Sequence, residues 1–563
     1  MSTARAEPLA PRWRAAVAAA ALLAFAVTLG TRGWVRDDRW LIAENPLFRP
    51  GLSAWPAVLR TGYVEAATGV AAPIEEYRPL LSLTFLVQLA AGRSPAPFHA
   101  ANALLHAAVC LLLFEALRRR LPQSAAGAAA LLFAVMPVHA ETVSYLTSRS
   151  ELLVALSLLG CWLTLGADRA RPRVALGLLS FATGLLSKES AVVIPAFLLL
   201  SDWALDGAPP WERGRRGVYA GLASVAAAWL ALRAAVLPAA SAGVPFFASR
   251  ADAALGWPAF ALRHYLWASL AGTGLCSDFT RAGAALVVPA TPARAAALAL
   301  LAAAALLAAA GLLRRRAWAF WAAAPALFLL PTCPLLVPLD TLGAERFLYI
   351  PTIALAVALG WAFARLREAR PRAAWAALAL LTACYAGLLT ARNRVWLSER
   401  AFYAAACACN PGSAKARSAL GVIKLSDGDE AGGRGDLLAA QALDPSLPEP
   451  PYNLALLAWR RGDPTNTEDL ARRALSLDAG SSDAWTLLGL AVEARGRPFE
   501  AEDDLRRALA LRPWNAPAEL DLARLLLRRG RGAEAASHLR RFVELAPDDA
   551  DAQKVAALLR GAK

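Results

Sequence analysis

The chain has 563 residues, of which 57% are hydrophobic and 18% charged, with a formal net charge of +15. Its first 400 or so residues are too apolar for a soluble enzyme of ordinary composition and read as an integral membrane domain. The positive charge does not point to nucleic acid, because the arginines form no basic face: they fall in short clusters between hydrophobic runs, as membrane topology requires. Heavy use of Ala, Leu and Arg with little Lys suits a GC-rich bacterial genome, so the expected location is a bacterial inner (plasma) membrane.

In chain order, Arg5, Arg12 and Arg14 precede the apolar run 15–30 without an Ala-x-Ala cleavage site, which predicts a retained first span with its N-terminus inside. Apolar runs of about 20 residues, the length of a bilayer crossing, follow near 98–117, 124–140, 144–166, 173–187, 189–204, 217–238, 293–313, 317–338, 347–365 and 373–391. Together they predict about 11 transmembrane helices. Alternation from an inside N-terminus then puts Arg118–Arg119–Arg120, Arg169/Arg171/Arg173, Arg213/Arg215/Arg216, Arg314–Arg315–Arg316 and Arg365/Arg367/Arg370/Arg372 all in the cytoplasm. Residues 257–272 are apolar but short, and counting them as a crossing would invert the last two clusters, so they are expected to be interfacial or re-entrant. An odd number of spans sends the C-terminal domain outside the cytoplasm.

The same alternation gathers Asp37, Asp38, Glu75, Glu76, His139, Glu141, Arg149, Glu151, Lys188, Glu189, Asp340, Glu345 and Arg346 at the outer ends of spans. Ionisable groups near membrane depth are costly and usually line a polar cavity, so one pocket on that face is expected. Singly these residues are ambiguous: Asp37–Asp38 reads equally as a solvated loop, His139 and Glu141 as a helix end, and Ser187–Lys188–Glu189–Ser190 as a polar turn. The seven cysteines (110, 161, 276, 333, 384, 407, 409) show no metal-ligand spacing, and most read as small buried hydrophobes.

The last quarter keeps a period of 34 residues. Asn410–Pro411, Asp444–Pro445, Asp478–Ala479, Arg512–Pro513 and Ala546–Pro547 mark one ladder; Leu420–Gly421, Leu454–Ala455, Leu488–Gly489 and Leu522–Ala523 mark another in the same register. This is the signature of tetratricopeptide repeats, here units 412–445, 446–479, 480–513 and 514–547, which stack because no single helix pair can bury its own apolar face. The fold class is therefore all-α: a polytopic membrane domain over 1–400, with an external loop 32–97 carrying the Asp–Asp pair, and an extracytoplasmic repeat α-solenoid over 412–563.

Taken together, the runs Arg36–Asp37–Asp38 with Ile42, Asn45 and Pro46, Tyr77–Arg78–Pro79–Leu80, Phe98–His99–Ala100–Ala101–Asn102 with His106, Pro137–Val138–His139–Ala140–Glu141, Ser148–Arg149–Ser150–Glu151–Leu152–Leu153, Leu186–Ser187–Lys188–Glu189–Ser190 and Glu345–Arg346–Phe347–Leu348–Tyr349–Ile350–Pro351 resemble the transmembrane, tetratricopeptide-repeat protein O-mannosyltransferases. The resemblance covers most of 30–390 and the repeats; the segment 51–76 departs from it. It implies a GT-C glycosyltransferase that takes a sugar, mannose, from a polyprenyl-phosphate carrier and works outside the cytoplasm, with an acidic residue of the first external loop as base: here Asp37 or Asp38. A phosphate leaving group needs charge stabilisation rather than a strong acid, for which Arg346, Lys188 and Arg149 are the expected donor-binding cations. His139, Glu141, Glu151, Glu189, Glu345 and Tyr349 are expected to line the pocket. A single base predicts inversion at the sugar carbon. No cofactor is firmly expected besides the lipid-linked sugar donor; a divalent metal stays open, since His139 and Glu141 alone are too few ligands to assert a site. The expected partners are that lipid and a protein acceptor held through the repeats; the competing readings are a lipid or polysaccharide acceptor, a non-catalytic membrane-anchored scaffold, and a transporter.

Overall fold

The computed structural model describes residues 10–561 apart from 32, 65–75, 167–170, 208, 210, 213–214, 238–249, 278, 280–291, 335–341 and 548. Glu75, Arg169, Arg213 and Asp340 lie outside the described residues. Among the described residues every element is helical, and the chain divides into two compact units, 1–411 and 412–563.

In the first unit each of the eleven apolar runs contains a helix, but not all are long enough to cross a bilayer unaided. Six helices are: Ala10–Gly30, Ala96–Leu117, Leu146–Leu165, Arg215–Val236, Ala295–Leu313 and Pro371–Leu397, or seven if Gln123–Ala134 and Pro137–Ser144, bent by 51°, make one span. The expected eleven crossings are therefore not all matched by length. Arg171–Leu185 has 15 residues, Ile194–Ala204 has 11 and Ala317–Leu329 has 13, so each falls short of the roughly 20 a crossing needs. Turns end them: the Ser187–Lys188–Glu189 turn separates the first two, and the third gives way at Leu330–Thr332 to a tighter turn that contains Pro331. Within 257–272, Arg250–Phe260, Ala261–Leu266 and Trp267–Ala271 run end to end as short helical pieces.

Described members of the arginine clusters gather at one end of the bundle. Arg14 pairs with Glu115 at 2.8 Å and Arg118 with the same carboxylate at 2.5 Å. Arg120 reaches Asp206 at 3.4 Å, and Arg315 donates to the carbonyl of Gly207 at 3.1 Å. Trp13, next to Arg14, stacks on Trp375 and meets Phe363 edge-on, which brings the 365–372 cluster to the same end. Aromatic residues and arginines beside a membrane surface anchor helix ends in this way.

The centre of the unit is the helix Gln123–Ala134, buried on all sides, packed against Thr352–Ala369. Its sequence Ser124–Ala125–Ala126–Gly127–Ala128–Ala129–Ala130 explains this, since small side chains let helix backbones approach where no hydrophobic force between helices exists. Gly360 is the contact from the other side: a Cβ there would lie 2.8 Å from both N and Cβ of Ala129 and closer still to the carbonyl oxygen of Ala125. Backbone cannot yield to it. Gly360→Ala should therefore cost about 1–3 kcal/mol and lower the melting temperature of the detergent-solubilised chain by several degrees, whereas Gly387→Ala, which faces open space, should not. Equal melting temperatures for the two variants would refute this close packing. By contrast Leu300, Leu306, Leu307 and Leu313 of the helix Pro292–Leu313 are mostly exposed, as a lipid-facing surface requires.

One feature of the cysteines departs from the sequence reading. Cys276 and Cys409 form a disulfide across 133 residues of chain, while Cys110 and Cys161 are buried free thiols. The bridge ties the segment after Trp267–Ala271 to the end of the helix Glu399–Cys409, the last of this unit.

The second unit consists of helix pairs: Ala414–Ser426 with Glu430–Leu443, Glu449–Arg460 with Pro464–Leu477, Ser482–Ala494 with Pro498–Leu511, and Ala516–Arg528 with Gly532–Leu545, closed by Ala550–Gly561. The turn inside each pair uses a glycine at positive φ: Gly428 (88°), Gly462 (73°), Gly496 (80°) and Gly530 (74°), a third ladder at the repeat period. Ser413, Asp429, Asp463, Ser481 and Asn515 cap helix starts by accepting a backbone N–H. Between repeats, buried Glu468 receives Arg472, Arg495 and Arg497, and one period later Glu502 receives Arg506, Arg529 and Arg531. With its own core around Leu487, Leu488, Leu505, Leu522 and Leu526, the unit meets the conditions for autonomous folding, repeat stability being a sum of neighbour terms. Residues 412–563 expressed alone should be soluble, helical by circular dichroism and melt cooperatively; a fragment without a melting transition would show that the first unit supports it.

Candidate active site

The expected polar residues are assembled at the helix ends opposite the arginine clusters, from segments far apart in sequence. The first is the turn after the helix Ala10–Gly30, which carries Arg36, Asp37 and Asp38. The second is the break between Gln123–Ala134 and the helix starting at Arg149, where two short helical pieces, Ala140–Ser144 and Leu146–Ser148, present Glu141 and Tyr145. The third is the single turn Glu345–Leu348 ahead of Thr352–Ala369, and the fourth the Ser187–Lys188–Glu189 turn. Each is a helix interruption, where backbone is free to turn side chains toward a common point.

The two aspartates have different surroundings. Asp38 is 1% exposed, and its carboxylate oxygens accept the backbone N–H groups of Leu146 at 3.1 Å and Thr147 at 2.9 Å. It anchors the turn that leads to Arg149. Burial pushes its pKa up to about 8, against the pull of those two N–H groups. Asp37 keeps about a third of its side chain exposed and accepts the Tyr145 hydroxyl at 2.5 Å and the indole N–H of Trp40 at 3.2 Å. Burial, with Asp37 next to it, holds the Tyr145 hydroxyl proton well above its ordinary range, so that this group remains a donor.

From Tyr145 the polar row continues. The Arg346 guanidinium lies 6.0 Å from the Tyr145 ring centre and 5.2 Å from that of Phe347. Arg346 Nη1 donates to Glu141 at 2.5 Å, and its backbone N–H reaches the other oxygen of that carboxylate at 3.2 Å, so Glu141 fixes where Arg346 points. The Lys188 ammonium, which is ion-paired with Glu151, also stands 5.3 Å from the centre of the Phe347 ring. Glu189 accepts the backbone N–H of Tyr77 at 3.0 Å and Arg78 at 3.3 Å, and Arg78 also pairs with Glu76 at 2.6 Å. Glu345 is buried, pairs with Arg392 at 3.0 Å and is pushed up by that burial. A cavity of about 520 Å³ beside it is lined by Arg263, His264, Trp267, Leu275, Phe279 and the disulfide.

Three expected site residues sit beneath this row rather than in it. Arg149 is 2% exposed, with donors directed to Asn102 at 2.7 Å, Thr84 at 3.0 Å and the carbonyl of Phe98 at 3.3 Å. Those bonds occupy the guanidinium and make Arg149 a brace rather than a phosphate ligand. His139 donates to or accepts from Thr352 at 2.8 Å and packs against Phe133 and Tyr349, while Tyr349 bonds His106 at 2.7 Å; all three are fully buried. They form the floor under Arg346. Among the described residues no three His, Cys, Asp or Glu side chains group as a metal site. Sequence reasoning passed over Tyr145, Arg392 and the role of Arg36; the one available signal was an aromatic residue set between two polar runs.

A multi-helix membrane unit with acid, cation and aromatic side chains converging at one end, followed by a repeat solenoid, defines the class of protein. Residues 81–232 match the family "Dolichyl-phosphate-mannose-protein mannosyltransferase" and residues 493–559 "Tetratricopeptide repeat". These matches and the relatives that follow support a likeness to the transmembrane and tetratricopeptide-repeat protein O-mannosyltransferases. It is 36% identical over 154 residues to mouse protein O-mannosyl-transferase TMTC1, covering 26% of this chain and 16% of that one. It is 24% identical over 428 residues to mouse TMTC3 (68% and 46%), and 24% identical over 478 residues to Drosophila Tmtc3 (70% and 50%). The chain thus spans half or less of the length of these relatives. Among solved structures, MamA is similar over 27% of this chain and 84% of its own, at 19% identity and a TM-score of 0.23, too low to carry an argument.

Proposed function

We propose that the chain is an inverting glycosyltransferase that moves mannose from a polyprenyl-phosphate carrier to a hydroxyl acceptor, a protein Ser or Thr, on the extracytoplasmic face of a membrane. The observation that carries this reading is Asp37: a partly exposed carboxylate, oriented by the Tyr145 hydroxyl at 2.5 Å, in a row with Arg346. In the step this supports, the acceptor oxygen attacks the anomeric carbon of the sugar and gives its proton to Asp37. The bond from that carbon to the phosphate oxygen breaks, and the phosphate leaves with the electron pair, its charge met by Arg346. A base so placed contributes about 10²–10⁴-fold. The names of the relatives support the sugar and the protein acceptor. The arginine clusters at the far end support an external site, as does the Cys276–Cys409 bridge, because disulfides persist outside reducing compartments. The repeats serve to hold the acceptor or a partner protein.

The test is a membrane assay with polyprenyl-phosphate mannose and extracytoplasmic proteins of the host, scored for new mannosylated peptides by mass spectrometry, comparing the parent with Asp37→Asn. New Ser- or Thr-linked mannose that depends on Asp37 supports the reading; transfer only to lipid or polysaccharide would replace the acceptor, and no transfer to any acceptor would sink the activity.

A further inference from the structure

Arg36 is the residue of this site with the least ordinary backbone. Its φ is +58°, in the left-handed region that an L side chain enters at a cost of roughly 1–2 kcal/mol. Such strain persists where the surroundings hold it, often at a functional position. What it achieves here is direction: the guanidinium lies 5.6 Å from the Tyr145 ring centre and 5.6 Å from that of Phe402, with its Nε 3.8 Å from Asp37. About 29% of the side chain is exposed, and among the described residues Asp37 is its one ion-pair partner, beyond hydrogen-bond distance.

The other cations of the site are occupied. Lys188 is paired with Glu151, Arg78 with Glu76 and Glu189, Arg392 with Glu345, and Arg149 is spent on three neutral acceptors. Arg346 uses one terminal nitrogen for Glu141. Arg36 and Arg346 thus stand 5.6 and 6.0 Å from the centre of the same Tyr145 ring, near enough for the charge of Arg36 to act on Arg346, and both have N–H groups to spare. Two like charges held together are favoured by an anion between them, and guanidinium is the side chain whose geometry suits phosphate oxygens.

We infer that Arg36 and Arg346 form a two-armed subsite for a phosphate ester anion beside Asp37, with Tyr145 as the positioning residue that spaces them. The inference deepens the proposed transferase and rests on that reading for its ligand, but not for its test, which reads binding. An anion held there would sit next to the base and draw the guanidinium of Arg36 away from it, leaving the Asp37 carboxylate to the acceptor.

The experiment uses the full chain in detergent, with farnesyl phosphate as probe, farnesol as the phosphate-free control and inorganic phosphate as competitor. Affinity comes from titration calorimetry and stability from thermal unfolding, for the parent and for Arg36→Gly and Arg36→Lys. Because φ of +58° suits glycine, Arg36→Gly should melt no lower than the parent while binding farnesyl phosphate about 10- to 100-fold more weakly, its farnesol binding unchanged. Arg36→Lys should recover part of the loss, keeping the charge without the fork. Arg36-dependent competition by inorganic phosphate would assign the subsite to the free anion as well; its absence would assign it to the lipid-linked one. Parental farnesyl phosphate affinity in Arg36→Gly, or an equal loss for farnesol, overturns the proposal. Arg36-dependent binding in a chain that transfers no sugar would instead leave the subsite standing and fault the activity.

Discussion

Asp37→Asn should cut sugar transfer by about 10²–10⁴-fold while the chain folds and binds donor as before. The partners of Asp37 explain the separation: one side is open, an asparagine oxygen can still receive the Tyr145 hydroxyl, and the Trp40 indole N–H on the other oxygen is exposed enough to turn to water. What is lost is the proton acceptor. Asp38→Asn should fail differently. Its carboxylate satisfies two backbone N–H groups with two oxygens, and an asparagine offers one oxygen and one NH₂, so one buried N–H goes unpaired at about 1–3 kcal/mol. The expected result is a lower melting temperature and activity that recovers on cooling. Steady-state transfer at two temperatures, with thermal unfolding of both variants, separates the roles; near-parental turnover in Asp37→Asn with total loss in a stably folded Asp38→Asn would exchange the assignment.

Arg346→Ala should weaken donor binding and transfer together, by roughly 10²-fold, the usual loss when one donor to a developing anion is removed. Its position makes the effect specific, since Glu141 holds one nitrogen and leaves the others facing the Tyr145 side. Arg346→Lys should restore part of the loss, and Glu141→Gln, which keeps the guanidinium but loosens its aim, should fall between the parent and Arg346→Ala. Equal activity of the Lys variant and the parent would reduce Arg346 to a structural ion pair with Glu141.

Regular features were legible in the sequence and tertiary ones were not. The repeat ladders could be read because each unit solves the same packing problem, so a small residue, Gly421, Ala455, Gly489 or Ala523, recurs where one helix backs onto the next. The arginine clusters were equally plain, because charge near a bilayer has one favourable side. The choice between Asp37 and Asp38 was not, for the N–H groups that distinguish them come from residues 108 and 109 positions away. Arg149 looked like a free cation because nothing local announces that Asn102, Thr84 and Phe98 will take its donors. Helix length was not legible where an apolar run is shortened by a turn its composition hides, as at Arg171–Leu185 and Ile194–Ala204.

The Cys276–Cys409 bridge also bears on how the chain is made. While the first cysteine emerges, its partner lies 133 residues ahead in synthesis, past the helices Pro292–Leu313, Ala317–Leu329, Thr352–Ala369 and Pro371–Asn393. Closure must therefore wait until all of these have been inserted and Glu399–Cys409 has come to rest. Once formed, a loop of that length removes about 4–5 kcal/mol of disorder from the unfolded chain. The bond is in this sense a time stamp: it marks molecules whose membrane unit has been completed.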